Sequence, residues 1–333
     1  MKMREALVLA VLLLVSSFAF DRNQAVTFAR LPADRANPEG LAVDSRNGDV
    51  YAADFEVRGN PPGHVVVFDK NGRFLRDLAV AGSSNLLLGL DFHPASHKLL
   101  VIDFGNGNVL DVNRQTGAAK IFSAIGPGSG LNALTFDASG FVLVSDSFQG
   151  IIWRIPPGGG PAKIWKQDPL LTTTGVPPFG ANGMAFNKAR TLLFVANTGN
   201  DTIVQIVNGG ATGGAATVLT NSINGADGLI VDEADNIWVC ANQGDEIVII
   251  DTTGKVIGKL GDFDGLKGNA EPNGLLFPAS LVFAGDSLLV TNLSLDLRLF
   301  GFNTVDAQWA AQVRTHTIAR LPRLFTKIAG DGI

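Results

Sequence analysis

The chain of 333 residues carries a net charge of −5 with no basic cluster, which argues against nucleic acid as a partner. Its one cysteine, Cys240, excludes an intramolecular disulfide, so a core must be held by apolar packing, and 46% hydrophobic residues supply the material for it. Cys240 lies inside the strand-like run NIWVCAN and reads as a buried, inert thiol.

In chain order, the first element is the segment MKMREALVLAVLLLVSSFAF. Lys2 and Arg4 precede an apolar run from Ala6 to Val15, and Ser17-Phe18-Ala19 supplies the small residues of a cleavage site. Residues 1–19 are therefore expected to be a signal peptide, cleaved near Ala19, with the mature chain exported to the periplasm or the extracellular space. No later apolar run is long enough for a membrane helix. Residues 20–333 are expected to form a single domain.

That domain is built on a repeat. Six segments align: EGLAVDSRNGDVYAAD from Glu39, LGLDFHPASHKLLVID from Leu88, NALTFDASGFVLVSD from Asn132, NGMAFNKARTLLFVAN from Asn182, DGLIVDEADNIWVCAN from Asp227 and ASLVFAGDSLLVTN from Ala279. Successive starts are 49, 44, 50, 45 and 52 residues apart. Each unit reads as an apolar strand, a polar turn and a second apolar strand, and most continue into a third (GHVVVFD, TIVQIV, EIVIID) and a fourth (RFLRDLAV, KVIGKLGDF). No segment keeps a helical period over a long run. Four strands at this spacing, six times over, predict an all-β fold, a six-bladed β-propeller with four-stranded blades. TFARLP at Thr27 echoes TIARLP at Thr317. Both resemble outer strands, and one of them is expected to complete the last blade.

In a propeller the first strand of each blade lines a central channel, so the residues that open the six units should ring one mouth. In order they are Glu39, Leu88, Asn132, Asn182, Asp227 and Ala279. Four carry a side-chain oxygen, and three of those four precede glycine. Asn and Asp also begin strands through Asx turns, and any one of the four taken alone fits that role. As a set, two carboxylates and two amides without His or Cys are hard oxygen donors suited to Ca²⁺ or another divalent cation. The glycine is expected to let the backbone turn tightly and to clear space near the ion. A second series (Asp54, Asp103, Asp146, Asn197, Asn242 and Asn292) ends the second strand of every unit and reads as a structural device that holds the following turn.

On these residues the chain resembles the SMP-30/gluconolactonase/LRE family of six-bladed calcium-dependent lactonases. The resemblance runs from about Pro38 to Asn292. It assigns Glu39 in NPEGLAVD, Asn132 in GLNALTFD, Asn182 in GANGMAF and Asp227 in GADGLIVDEADNIWV as the metal ligands, and it gives Asp227 the further role of general base. The function it implies is hydrolysis of a small-molecule lactone or related ester, with Ca²⁺ polarising the carbonyl. The chain departs from the family pattern near Asn132, where Gly130 stands in place of an Arg and Ala133 in place of an Asp, and around Gln149-Gly150, where an acidic residue of the sugar-lactone enzymes is missing. The architecture resembles paraoxonases and strictosidine-synthase-like proteins more loosely. His64, His93, His97 and His316 read as structural or solvated. Two other readings share the repeat: a non-catalytic binding or scaffold propeller resembling NHL-repeat proteins, and a propeller in which Ca²⁺ is purely structural.

Overall fold

Short runs such as VYAAD, LLVID, VLVSD and IWVCA are buried at all five positions. Such continuous burial belongs to strands covered on both faces. By contrast FLRDLA, AKIFSA and KIWKQ leave much of their length to solvent. The difference is radial. In the computed structural model, which describes residues 25–323, these strands belong to six four-stranded antiparallel sheets arranged as the blades of a six-bladed β-propeller. The second strand of each blade lies between two neighbouring blades, and the fourth lies on the rim. Among the described residues, the one α-helix spans Val305–Ala310, and no helix is long and apolar enough to cross a membrane. The expected signal peptide at residues 1–19 falls outside the described residues.

The inner strands are Pro38–Val43, Leu87–Phe92, Leu131–Phe136, Ala181–Phe186, Ala226–Val231 and Pro278–Ala284, in blades 1 to 6. Each contacts the inner strands of the blades on either side, closing a ring. Apolar side chains fill the wedges between blades. Leu41, Leu90, Leu134, Met184, Leu229 and Leu281 occupy one equivalent position in the six inner strands, and each enters a different inter-blade cluster. Cys240 packs fully buried between blades 5 and 6, beside Trp238 and Leu288.

Blade 6 takes strands from both ends of the chain. Thr317–Pro322 is its third strand and Val26–Arg30 its outer strand, paired antiparallel. Both echoing segments close the ring, where one was expected. Glu271 clamps the closure. Its buried carboxylate accepts from Arg30 Nε at 2.5 Å, Thr27 Oγ1 at 3.1 Å and Lys267 Nζ at 2.8 Å. Burial pushes this carboxyl up, but the hydrogen bonds from Arg30, Lys267 and Asn269 outweigh it and hold the group down at about 2.

Every inner strand carries the same irregularity. In blade 1, Pro38 pairs with Asp54 and Leu41 with Ala52, so Glu39 and Gly40 together face Ala53. The other five blades repeat this two-for-one bulge at the corresponding residues. A bulge bends its strand and re-aims a side chain. The ring residues therefore lie inside the inner strands, at the bulge, and not just before them as the repeat alone suggested.

The glycines also act differently from expectation. Gly40, Gly89, Gly183 and Gly228 have ordinary negative φ, so no tight turn requires them. They lie where the next blade comes closest. A Cβ at Gly40 would stand 2.2 Å from the Leu88 carbonyl oxygen, one at Gly89 2.6 Å from that of Asn132, one at Gly183 2.5 Å from that of Asp227, and one at Gly228 2.4 Å from that of Ala279. Each glycine thus seats the backbone of the next ring residue. In blades 3 and 6 the same place holds Ala133 and Ser280, whose N–H groups donate to Ser145 Oγ and Thr291 Oγ1, each at 2.9 Å. Gly228→Ala is expected to destabilise the protein by about 1–3 kcal/mol through this clash with backbone. The check is the urea midpoint, and an unchanged midpoint would show that the neighbouring strand yields.

Candidate metal centre

The bulges bring Glu39, Asn132, Asn182 and Asp227 to one small pocket at a mouth of the channel, with Leu88 beside them. All four polar residues are about 95% buried. The cavity they line is about 40 Å³, room for an ion and one or two small groups. Asp227 Oδ2 accepts from Asn242 Nδ2 at 2.9 Å, and Asn182 Nδ2 donates to Thr198 Oγ1 at 2.9 Å, which leaves the Asn182 carbonyl oxygen free to serve the pocket. Glu39 Oε2 and Asp227 Oδ1 are buried without any hydrogen-bond partner.

No lining residue is cationic. Burial therefore pushes the Asp227 carboxyl up to about 7, against the lowering effect of hydrogen bonds from Asn242, Asn182 and the Gly228 backbone. Burial, reinforced by the charge of Asp227, drives Glu39 well above the usual carboxylate range. Two orphaned carboxylate oxygens with no counter-charge fit a divalent cation, and two amides complete a hard-oxygen donor set. Among the described residues no group of three or more His, Cys, Asp or Glu side chains could hold a metal. The ring differs in kind, because two of its four donors are neutral.

The second Asx series divides. Asp146 Oδ1 accepts from the backbone N–H of Gly130, Phe148 and Gln149, at 2.9, 3.2 and 3.1 Å. Asp103 holds Ser84 and Asn106, Asn197 holds the Leu170 and Thr172 carbonyls, and Asn292 holds Leu276 and Gly274. Asp103, Asp146 and, through the Asn200 N–H, Asn197 hold the following turn as expected, whereas Asn292 ties the preceding segment and Thr317 to its strand. Asn242 instead supports Asp227 inside the pocket. Asp54 is fully buried with neither carboxylate oxygen partnered, and burial, with the Glu56 charge adding to it, pushes its carboxyl well above the ordinary range.

The pocket is roofed by residues outside the repeat. Connections from second to third strand take four residues in blades 2 to 5, but nine (55–63) in blade 1 and 24 (293–316) in blade 6. They bring Phe55, Leu293, Leu295 and Leu297 over the ring, and the inter-blade segments add Pro177, Phe179 and Phe277. A signal for part of the roof does exist in the sequence: phenylalanine follows the Asx residue in DF at Asp54 and Asp103 and in DSF at Asp146.

The histidines lie away from the pocket. His93 is buried, with Nε2 against the Gly140 carbonyl at 2.9 Å; His64 Nδ1 meets Asp77 Oδ1 at 2.9 Å; and His316 Nδ1 accepts from Asn37 N–H at 3.2 Å, its imidazole pushed down to about 4 by burial. The sequence holds two Asn-x-Ser/Thr sequons, Asn200-Asp-Thr and Asn292-Leu-Ser; Asn292 is buried in the sheet and closed to modification in the folded protein, while Asn200 is exposed.

Residues 165–261 match the model of the SMP-30/Gluconolactonase/LRE-like region. The resemblance to that family is thus shown, and the match spans blades 4 and 5 with Asn182 and Asp227. Glu39 and Asn132 lie outside it. No curated protein sequence matches the chain significantly. Among solved structures, a luciferin-regenerating enzyme superposes with a TM-score of 0.66 at 15% identity, over 90% of this chain and 96% of its own. A gluconolactonase from Xanthomonas campestris gives 0.64 at 16%, over 90% and 89%. The calcium-binding protein regucalcin from Agrobacterium tumefaciens gives 0.64 at 16%, over 89% and 93%. At these identities the likeness shows the fold.

The two orphaned carboxylates make stability depend on pH. With chelator present, both are raised in the folded state, so their contribution is full below the unfolded value near 4 and is lost as pH rises through the folded value of about 7 for Asp227. Thermal denaturation in chelator is expected to show stability falling from pH 5 to pH 8, by an amount on the order of 2–4 kcal/mol, and Asp227→Asn is expected to remove its own share of that slope while the share due to Glu39 persists.

Proposed function

We propose that the protein is a divalent-cation-dependent hydrolase of a lactone or related ester, with Glu39, Asn132, Asn182 and Asp227 holding Ca²⁺. The observation that carries this reading is the convergence of two unpartnered buried carboxylates and two amides on one cavity free of cationic side chains. The family match over blades 4 and 5 supports it. Bound there, Ca²⁺ supplies Lewis-acid polarisation of the substrate carbonyl. The chain's own part is distinct. Asp227 takes the proton from the attacking water, and Asn242 holds its Oδ2 so that Oδ1 faces the cavity. Thr198 fixes Asn182 with its oxygen inward. The apolar roof excludes bulk water and so strengthens the electrostatic contacts beneath it. A carboxylate paired with a cation is a modest base, suited to strained or activated esters more than to amides.

A second reading, a cation that only plugs the channel mouth, is favoured by one observation. The cavity beneath the roof, about 40 Å³, admits an ion more readily than a whole substrate. Thermal stability and calcium affinity with and without chelator, together with a lactone panel, separate the two. Asn182→Ala is expected to weaken calcium binding on the order of 10–100-fold with the fold intact. Asp227→Ala is expected to lower turnover at least on the order of 100-fold. Calcium-dependent stability without turnover of any lactone favours the plug. No effect of calcium on stability or turnover would falsify both.

A further inference from the structure

Around the mouth, four phenylalanines from consecutive parts of the chain touch in series. The ring centroids of Phe55 and Phe104 are 5.7 Å apart, those of Phe104 and Phe148 5.7 Å, and those of Phe148 and Phe179 5.7 Å, the last pair stacked at 29°. Phe55 and Phe179 line the metal-site pocket. Phe148, next along the series, is 49% exposed, so the wall runs from the cavity out to solvent. Its seat is specific. A Cβ at Gly130 would stand 2.6 Å from the Phe148 ring, so any side chain there would displace it. Asp146 fixes the turn that carries Phe148 through the N–H groups of Phe148 and Gln149. An exposed aromatic held this firmly, and continuous with a buried polar site, has the character of a binding surface.

The roof itself adds only apolar groups. Above the ring the pocket is lined by Pro177, Phe277, Leu295 and Leu297; Thr198 Oγ1 and Asn242 Nδ2 already serve ring residues, which leaves the Asn242 carbonyl oxygen as a lone unpaired acceptor. A polyhydroxylated ligand would leave most of its hydroxyls desolvated and unpaired there. Resting on the hydrolase reading above, we propose that Phe55, Phe104, Phe148 and Phe179 form the substituent subsite of the enzyme, which selects lactones or esters bearing an apolar alkyl or aryl group and rejects sugar lactones. The carbonyl enters the small cavity at the ring, while the substituent lies along the aromatic wall outside it.

The test uses δ-lactams, which are not hydrolysed. Calorimetric affinities are measured in saturating Ca²⁺ for a series with alkyl side chains of two to eight carbons and for gluconolactam, with turnover of the matching lactones followed in parallel. The alkyl series is expected to gain about threefold in affinity per methylene over its first members, and gluconolactam to bind at least tenfold more weakly than the longest of them. Phe148→Ala is expected to lose about tenfold for the long-chain lactam with calcium affinity and Tm unchanged; Phe148→Leu should recover part of the loss. Chain-length-independent binding, stronger binding of gluconolactam, or an unaffected Phe148→Ala protein would overturn the inference. If the lactams show the chain-length trend and no lactone is turned over, the hydrolase reading falls and the apolar subsite stands. If sugar lactones prove the best substrates, the hydrolase reading stands and the apolar subsite falls.

Discussion

Six inner strands meet around this channel because each carries one extra residue at the same height. The two-for-one bulge tilts the ring residue toward the axis, and the glycine after it leaves room for the next strand's carbonyl. Without the bulge, the strict alternation of a strand would carry these side chains into the wedges between blades with their apolar neighbours. In four of the six blades that glycine lets the next strand approach closely, and in blades 3 and 6 Ala133 and Ser280 fill the same place. The two devices are mechanical, and the chemistry at the mouth depends on both. In blades 2 and 6 the same geometry presents Leu88 and Ala279, so the bulge builds the ring and the residue type at its tip decides what the ring can bind.

The electrostatics follow from that geometry. Asp227 and Glu39 arrive from opposite ends of the repeat, on blades 5 and 1, and meet where no Lys, Arg or His can reach them. The contrast with Glu271 is instructive. That carboxylate is also buried, yet Arg30 and Lys267 keep it ionised far below neutral pH. Burial alone therefore does not set the state of a carboxylate in this protein; the partner does. Asp44 is likewise buried and paired, with Arg46 and Arg114 on its oxygens at 2.9 and 2.6 Å. The ring pair is left without such partners.

Much of this was legible in the residues. The period of the strands follows from apolar runs separated by turn residues, and the equivalence of Glu39, Asn132, Asn182 and Asp227 follows from the period. The bulge was not legible, because it is a mismatch between two paired strands and neither strand shows it alone. The glycines were misread for a related reason: their neighbour is the next blade, about 45 residues away in sequence. Phe55, Leu295 and Leu297 escaped because they sit in insertions that break the period, where an apolar residue looks like ordinary core. Asn242 was grouped with its five counterparts, and only its contact with Asp227 sets it apart. Both terminal strands resembled closing strands because both are.

The closure of blade 6 bears on more than stability. Glu39 lies at the seam between blades 1 and 6, where its backbone carbonyl accepts from Thr291 Oγ1 at 2.9 Å. Thr291 belongs to the second strand of blade 6, a sheet completed by Val26–Arg30 and Thr317–Pro322 from the two ends of the described chain. Glu39 is thus held from both sides of the seam, by its own strand pair in blade 1 and by the second strand of blade 6. A folding intermediate with blades 2 to 5 assembled would hold Asn132, Asn182 and Asp227 but only one carboxylate of the pair. A divalent ion bound as proposed would join Glu39 at this seam to residues of blades 3, 4 and 5, and so act as a fastener across it.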